Sequence, residues 1–405
     1  HPLMYYFISA SWLKIFGQNL ISAHVFSLLI SVLSLVSVFY VFRKISNEFS
    51  ALFISLAVAV QSMFLSQSTM LLPEIFLMTL SVWVFYGYIT RKWYIYVLFS
   101  VLLVLSKETG LVLILTIVFD KIFISKLLYL SESEKNKHFL KEVLILFIPV
   151  FVFVFFLIVQ RKNLGYFFYP EHISMTHFDL QSIKSRFVSF GQQLIWDNTR
   201  QIWLFAAIGS LIYGALTHKK ILKQQLHPII LSLFFILSYL LFSSINFFTT
   251  RYLLTLLPFY FFLVLSPVSA LFEKKGIIAV VLSIMLLVNI FDSVNKKGEG
   301  DCVLSFRNTV LCHKEAINYC EQKEYYDKYI NTGFLMSFNM KYTHLGYLQG
   351  DKKFINVNKV ENPDIYVFYS NEPDAHIENV RKDSSYFLEK RFESASAWVE
   401  IYKMK

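Results

Sequence analysis

From residue 21 to residue 292 the chain alternates long apolar blocks with short polar breaks, and beyond residue 296 charged residues return every few positions. Ten blocks can be bounded: 21–42, 50–66, 74–89, 93–106, 109–124, 142–160, 201–217, 228–245, 252–272 and 277–292. In lipid a segment has to satisfy its own backbone hydrogen bonds, so each block is predicted to be helical. Several are shorter than the roughly 20 residues that span a bilayer core, which leaves their ends soft. The predicted fold class is a polytopic α-helical membrane domain at 21–292 followed by a small α/β soluble domain at 296–405.

Two stretches outside the blocks also carry a helical period. In "MYYFISASWLKIF" the residues Met4, Ile8, Trp12 and Ile15 share one face, flanked by Leu3, Phe7 and Phe16, while Ser9, Ser11 and Lys14 point elsewhere. With Gly17 as a stop, residues 1–20 are predicted to be a juxtamembrane amphipathic helix. The connection 161–200 is long for a linker, and Ile183, Phe187, Phe190 and Leu194 recur in it at helical spacing opposite Lys184, Arg186 and Gln192. It is predicted to hold a second interfacial helix. In the tail, "KYINTG", "KFINV", "DIYVFYS", "SYFLEKRFE" and "SAWVEIYK" read as strands, with helices at "HKEAINYCEQK", near 334–345 and near 374–382. No Gly-rich phosphate loop and no nucleotide fingerprint occurs there.

Composition agrees with a membrane chain: 56% of the 405 residues are hydrophobic, 16% are charged and the mean hydropathy is +0.51. Soluble domains run nearer 45–50% apolar and 25% charged. The net charge of +10 could indicate nucleic acid, but its placement argues against that partner. The loops at 43–48, 91–92, 218–224 and 273–275 carry nine Lys and Arg between them, and the basic connection 121–141 falls on the same side if the helices alternate. That side is cytoplasmic by the positive-inside rule. The opposite side then holds the N-terminal segment, the loop 161–200 and the α/β tail, and the predicted location is a bacterial cytoplasmic (inner) membrane with the tail extracytoplasmic. Cys302, Cys312 and Cys320 all fall in the tail, where one disulfide is possible. Their spacing fits no zinc pattern.

The short outer loops contain just two basic residues, Lys107 and Arg251. Lys107 and Glu108 interrupt "VLLVLSKETGLVLIL", and a charge held at membrane depth is expensive unless it faces a cavity or a partner. The bland reading is an interfacial pair that neutralises itself. Arg251, at the outer end of a block, offers a planar fork of donors suited to phosphate or carboxylate, against the alternative of interfacial snorkelling. Two cations converging on one outward cavity would suit a phosphate-bearing lipid. Glu74 follows Pro73 at a helix start, where a carboxylate favours the helix dipole. His172 and His177 lie five apart in the long loop and read as loop histidines more readily than as a metal site. No nucleophile arrangement, no paired carboxylates for a metal-bound sugar nucleotide and no phosphate loop can be found, so no metal or cofactor is expected.

Taken together, "HPLMYYFISASWLKIFGQNLISAHVFSLL", "QSTMLLPEIFLMTL", "LSKETGL" and "RYLLTLLPFYF" resemble, in order, segments of polyprenyl-phosphate-dependent glycosyltransferases of the GT-C fold, the superfamily of bacterial aminoarabinose transferase and the protein O-mannosyltransferases. The resemblance carries His1, Pro2, Tyr5 and Tyr6 onto the family's juxtamembrane segment, with Leu3 where a second proline is usual. It carries Lys107 onto a lysine after the fourth or fifth span, and Arg251 with Tyr252 onto an Arg-Tyr pair facing the lipid phosphate. His24 stands where the family often has arginine. His1, Tyr5, Glu74, Lys107, Glu108, Arg251 and Tyr252 are therefore the candidate substrate-binding residues.

What the resemblance implies is inverting transfer of a sugar from a polyprenyl-phosphate donor to a lipid, glycan or protein acceptor at the outer membrane face. It also implies a catalytic Asp in an outer loop upstream of His1, which makes the chain an N-terminally truncated one in this expectation. A transporter or flippase of a lipid-linked anion is an alternative; it would need charges along the inner half of the path, where only Asp120 and Lys121 qualify. An O-antigen-type polymerase or ligase is another, which the long outer loop suits and the folded tail does not.

Overall fold

The computed structural model describes residues 2–124, 139–176, 178–217, 223–246, 248–271, 275–372 and 376–405. They form two compact units, one of residues up to Ile15 together with Val25–Val294, the other of Phe16–His24 with Asn295–Lys405.

Helix α1 (Met4–Phe16), all but its last residue in the first unit, precedes α2 (Leu20–Ile45), which enters that unit at Val25, and then α3 (Glu48–Ala59), α4 (Ser62–Gln67), α5 (Glu74–Ile89), α6 (Trp93–Val104) and α7 (Gly110–Phe119). A π-helical turn, Asp120–Ile124, continues α7. Then come α8 (Phe139–Leu164), the short α9 (Pro170–Ser174), α10 (Leu180–Trp196), α11 (Gln201–Leu216), α12 (Lys223–Ile245), α13 (Leu257–Leu271) and α14 (Lys275–Asn295). Five helical segments among the described residues are long and apolar enough to cross a membrane. Of these Thr250–Leu271 is 83% buried, against 22–50% for the others, so it lies at the centre of the helices. Its Phe259 and Phe262 meet Phe42 of α2 and Phe85 of α5, with ring centroids 4.8 Å apart for Phe42–Phe262 and 5.2 Å for Phe85–Phe259.

Two apolar blocks depart from a single helix. Block 252–272 begins as a 3-10 turn, Thr250–Leu256, before α13. Pro258 has no N–H to give Leu254, and the Leu254 carbonyl instead accepts from Leu257, one residue earlier. Block 50–66 breaks at Gln61, whose backbone is extended. Gln61 is drawn into a buried polar network: its Nε2 donates to Asn289 Oδ1 (3.3 Å) and its Oε1 accepts from Arg200 (2.9 Å). Asn289 also accepts from Trp203 Nε1 (2.6 Å) and exchanges hydrogen bonds with Asn198, which sits at φ 55°. Arg200, fully buried, donates to the carbonyls of Leu194 and Gln193 at the end of α10. Nearly every group has a partner, the condition under which buried polar atoms stabilise a fold.

The long connection 161–200 is largely helical. Asp179 caps α10 by accepting from the Ser182 N–H (2.8 Å). Ile183, Phe187 and Phe190 are half-buried and Leu194 is buried, while Lys184 and Gln192 are exposed.

The second unit holds α15 (Phe306–Gln322), β1 (Ile330–Thr332), α16 (Phe334–Lys341), β2 (Ile365–Tyr369), α17 (Ile377–Lys382), β3 (Tyr386–Ser394) and β4 (Ala397–Met404). The sheet order is β1-β2-β4-β3, with β1 and β2 parallel and the other pairs antiparallel. Cys312, Ala316, Ile317 and Cys320 recur on one face of α15 and pack on Ile365 and Val367 of β2 and Val399 and Ile401 of β4. Lys353–Val357, read from sequence as a strand, pairs only through an isolated bridge between Val357 and Ile330. The N–H groups of Phe354 and Ile355 go to the carbonyls of Met340 and Tyr326 instead, which seats Phe354 in the core. The three cysteines are free thiols, and burial pushes the Cys320 thiol up to about 12.

Candidate functional site

The site starts at the break between α6 and α7. The apolar run stops at Leu105, and the chain turns through Ser106–Thr109 before α7 begins. A Cβ on Gly110 would stand 2.6 Å from Leu103 Cγ and 3.0 Å from the Leu103 carbonyl oxygen, so only glycine lets α7 leave this close to α6. The turn presents Lys107, a residue 7% exposed. The N-terminal segment docks on the same place, its Met4 N–H donating to the Leu105 carbonyl (2.8 Å).

Two other elements deliver the remaining groups. Pro73 starts α5 and leaves Glu74 in its first turn, 1% exposed. The 3-10 turn Thr250–Leu256 packs on α5 and carries Arg251 and Tyr252. Lys107 Nζ lies 3.0 Å from Glu74 Oε1, and Arg251 Nε lies 3.4 Å from the same oxygen. Lys107 Nζ also stands 3.3 Å from the centre of the Tyr252 ring, a cation–π contact, with the Arg251 guanidinium 5.8 Å from that ring. Glu74 Oε2 is buried and has no hydrogen-bond partner among the described residues.

Beside this cluster opens a cavity of about 340 Å³. Lys107, Glu108, Thr109, Asn246 and Tyr252 give it a polar end; Leu111, Val112, Leu115, Phe153 and Phe242 give it an apolar wall. Phe168, Tyr169, Ile173 and Thr176 close it from the loop between α8 and α10, where Gln160 Nε2 donates to the Phe167 carbonyl (2.6 Å). A polar end that carries Lys107, with Arg251 close behind it at Glu74, joined to an apolar wall can take an anionic head group with a hydrocarbon tail, since each part meets its own kind of surface.

Of the residues singled out from sequence, Glu74, Lys107, Arg251 and Tyr252 come together, and Glu108 lines the adjoining cavity. Lys107 forms an ion pair with Glu74, 33 residues earlier, across two segments of the fold. Tyr5 is buried among Phe26, Phe76 and Tyr6, interacts electrostatically with Glu74 and does not line the cavity. Tyr6, not among the candidates, interacts electrostatically with Glu74, Glu108 and Arg251. His1 lies outside the described residues, as do His177 and the side chain of His172. Among the described residues no group of three or more His, Cys, Asp and Glu is placed to hold a metal ion. The lining residues Phe168, Tyr169 and Ile173 do not stand out in the sequence because they follow no period that would set them apart from any interfacial loop.

This architecture is that of a multi-pass membrane protein with the GT-C fold. Residues 1–163, which include Tyr5, Glu74 and Lys107, match the family model described as dolichyl-phosphate-mannose-protein mannosyltransferase. The structure resembles that of ArnT from Cupriavidus metallidurans bound to undecaprenyl phosphate, with a TM-score of 0.53 and 13% sequence identity, over 99% of this chain and 87% of that one. Searching the curated proteins gave no match.

Proposed function

We propose that the chain is a membrane glycosyltransferase that moves a sugar from a polyprenyl-phosphate donor to an acceptor at the outer face of the cytoplasmic membrane. The observation that carries this reading is the meeting of Lys107 and Arg251, 144 positions apart in sequence, at one carboxylate beside a partly apolar cavity. The GT-C fold, the family match over residues 1–163 and the undecaprenyl phosphate in the ArnT structure support the same substrate class.

In the proposed reaction the acceptor hydroxyl attacks the anomeric carbon, the bond from that carbon to the phosphate oxygen breaks, and inversion results. The acceptor proton passes to a general base. The departing lipid phosphate gains negative charge, and Lys107 and Arg251 stabilise it as it develops. Lys107 is suited to this because the Tyr252 ring holds it in a cation–π contact. The tail is proposed to stand on the same outer face as the acceptor.

The test is to give membranes containing the protein a radiolabelled polyprenyl-phosphate sugar. The expected result is transfer of single sugars that Lys107→Ala and Arg251→Ala each reduce at least tenfold. Movement of the lipid without sugar transfer would replace this reading with a flippase, and growth of a sugar chain would replace it with a polymerase.

A further inference from the structure

We propose that Glu74 is a built-in counter-anion that weakens the hold of the site on the lipid phosphate released by transfer. The inference rests on the polyprenyl-phosphate reading of the site and concerns how that site lets go. Its starting point is that one oxygen, Glu74 Oε1, contacts both cations, at 3.0 Å from Lys107 Nζ and 3.4 Å from Arg251 Nε. A buried carboxylate oxygen without a hydrogen bond costs free energy. Glu74 Oε2 has no hydrogen-bond partner among the described residues, although Glu74 is 1% exposed. The two cations are what hold it.

Charge balance then distinguishes the two lipids. Glu74 opposes the charges of Lys107 and Arg251, and Glu108 lines the cavity beside them, so withdrawing the Glu74 charge raises the total by one whatever the other groups contribute. A glycosyl phosphodiester donor carries one negative charge, whereas the product is a phosphomonoester whose second ionisation lies near 6, giving it close to two at pH 8. The product carries about one more negative charge than the donor, so the field of the cations acts on it more strongly. Withdrawing the Glu74 charge therefore tightens the hold on the product by more than the hold on the donor. The cations do not collapse when the carboxylate is withdrawn: Lys107 retains the Tyr252 ring at 3.3 Å, and the Arg251 side chain, 29% exposed, can turn toward a ligand. Lys107 and Tyr252 line the cavity and Glu74 does not, so the carboxylate acts on the ligand through the cations and not by occupying its place.

The experiment measures binding of undecaprenyl phosphate at pH 8 to the full chain in nanodiscs, as wild type, Glu74→Gln and Glu74→Asp. The expected result is Glu74→Gln roughly tenfold to a hundredfold tighter than wild type, the range set by release of a charge-assisted hydrogen bond, with Glu74→Asp, which keeps the charge, close to wild type. The lipid should also raise the unfolding temperature of Glu74→Gln more than that of wild type, because tighter binding to the folded state is larger stabilisation. Damage to the fold cannot tighten binding, so the direction of the change is diagnostic. If Glu74→Gln does not fold, Glu74→Ala, which also removes the charge, takes its place: tighter binding supports the proposal. Equal or weaker binding by a folded variant that lacks the charge, with wild type binding normally, overturns it. No binding by wild type or variants overturns the polyprenyl-phosphate reading itself.

Discussion

At the scale of single residues, the cost of burying charge explains which side chains matter. Lys107 stands out in the sequence because it interrupts an apolar run, and the structure compensates it with a carboxylate and an aromatic ring. The chemistry at position 74 was half visible: a proline followed by a glutamate marks a helix start, but nothing local shows that its charge is spent on cations at 107 and 251. A second buried titratable group, His313 in the α/β unit, follows the same physics with the opposite sign. It is 1% exposed, its Nδ1 faces Asn339 Nδ2 at 3.3 Å, and burial lowers its pKa to about 4. Because the folded-state value lies below the unfolded one near 6.5, the unfolded chain binds the proton more readily. The stability from neutral His313 is therefore complete above pH 6.5 and is lost as pH falls toward 4, amounting to about 3 kcal/mol in all. Hydrogen exchange at α15, corrected for intrinsic rates, should show protection falling from pH 7 to pH 4.5 in wild type and a shallower fall in His313→Gln. Equal slopes would assign the acid sensitivity of this unit to other groups.

At the scale of elements, close helix approach is fixed by individual glycines. A Cβ on Gly87 of α5 would lie 2.5 Å from the backbone nitrogen and 2.8 Å from the Cα of Tyr96 in α6, atoms that cannot swing aside. On Gly214 of α11 it would meet the Leu271 side chain at 2.8 Å, which can. Gly87→Ala should therefore destabilise the detergent-solubilised protein by about 1–3 kcal/mol, the usual range for overpacking, and Gly214→Ala by less. Equal losses in thermal unfolding would mean that α5 and α6 can part without penalty. The same scale shows where sequence reading stops. Apolar period gives the existence of α5, α6 and α8, because lipid and core both demand an apolar surface. It does not give the 3-10 start of the Arg251 segment, which depends on Pro258, nor the break at Gln61, which depends on Arg200 and Asn289 far along the chain. Lys353–Val357 misleads for a related reason: its apolar residues suit a strand, but the Phe354 and Ile355 N–H groups are taken by the carbonyls of Met340, in α16, and Tyr326 and do not join the sheet.

At the scale of the whole molecule, the cluster joins segments that are remote in sequence: the N-terminal segment, the start of α5, the α6–α7 break and the turn before α13. That convergence, more than any single motif, supports a lipid-phosphate site in a GT-C fold. The most direct test of this account is the affinity of the full chain in nanodiscs for undecaprenyl phosphate, compared among wild type, Lys107→Ala and Arg251→Ala. Each substitution removes a charge-assisted contact to phosphate and should weaken binding roughly tenfold or more, with the wild-type affinity falling as salt rises. Wild-type affinity retained by both folded variants would contradict the account, since the lipid would then be held without the two cations that define the site.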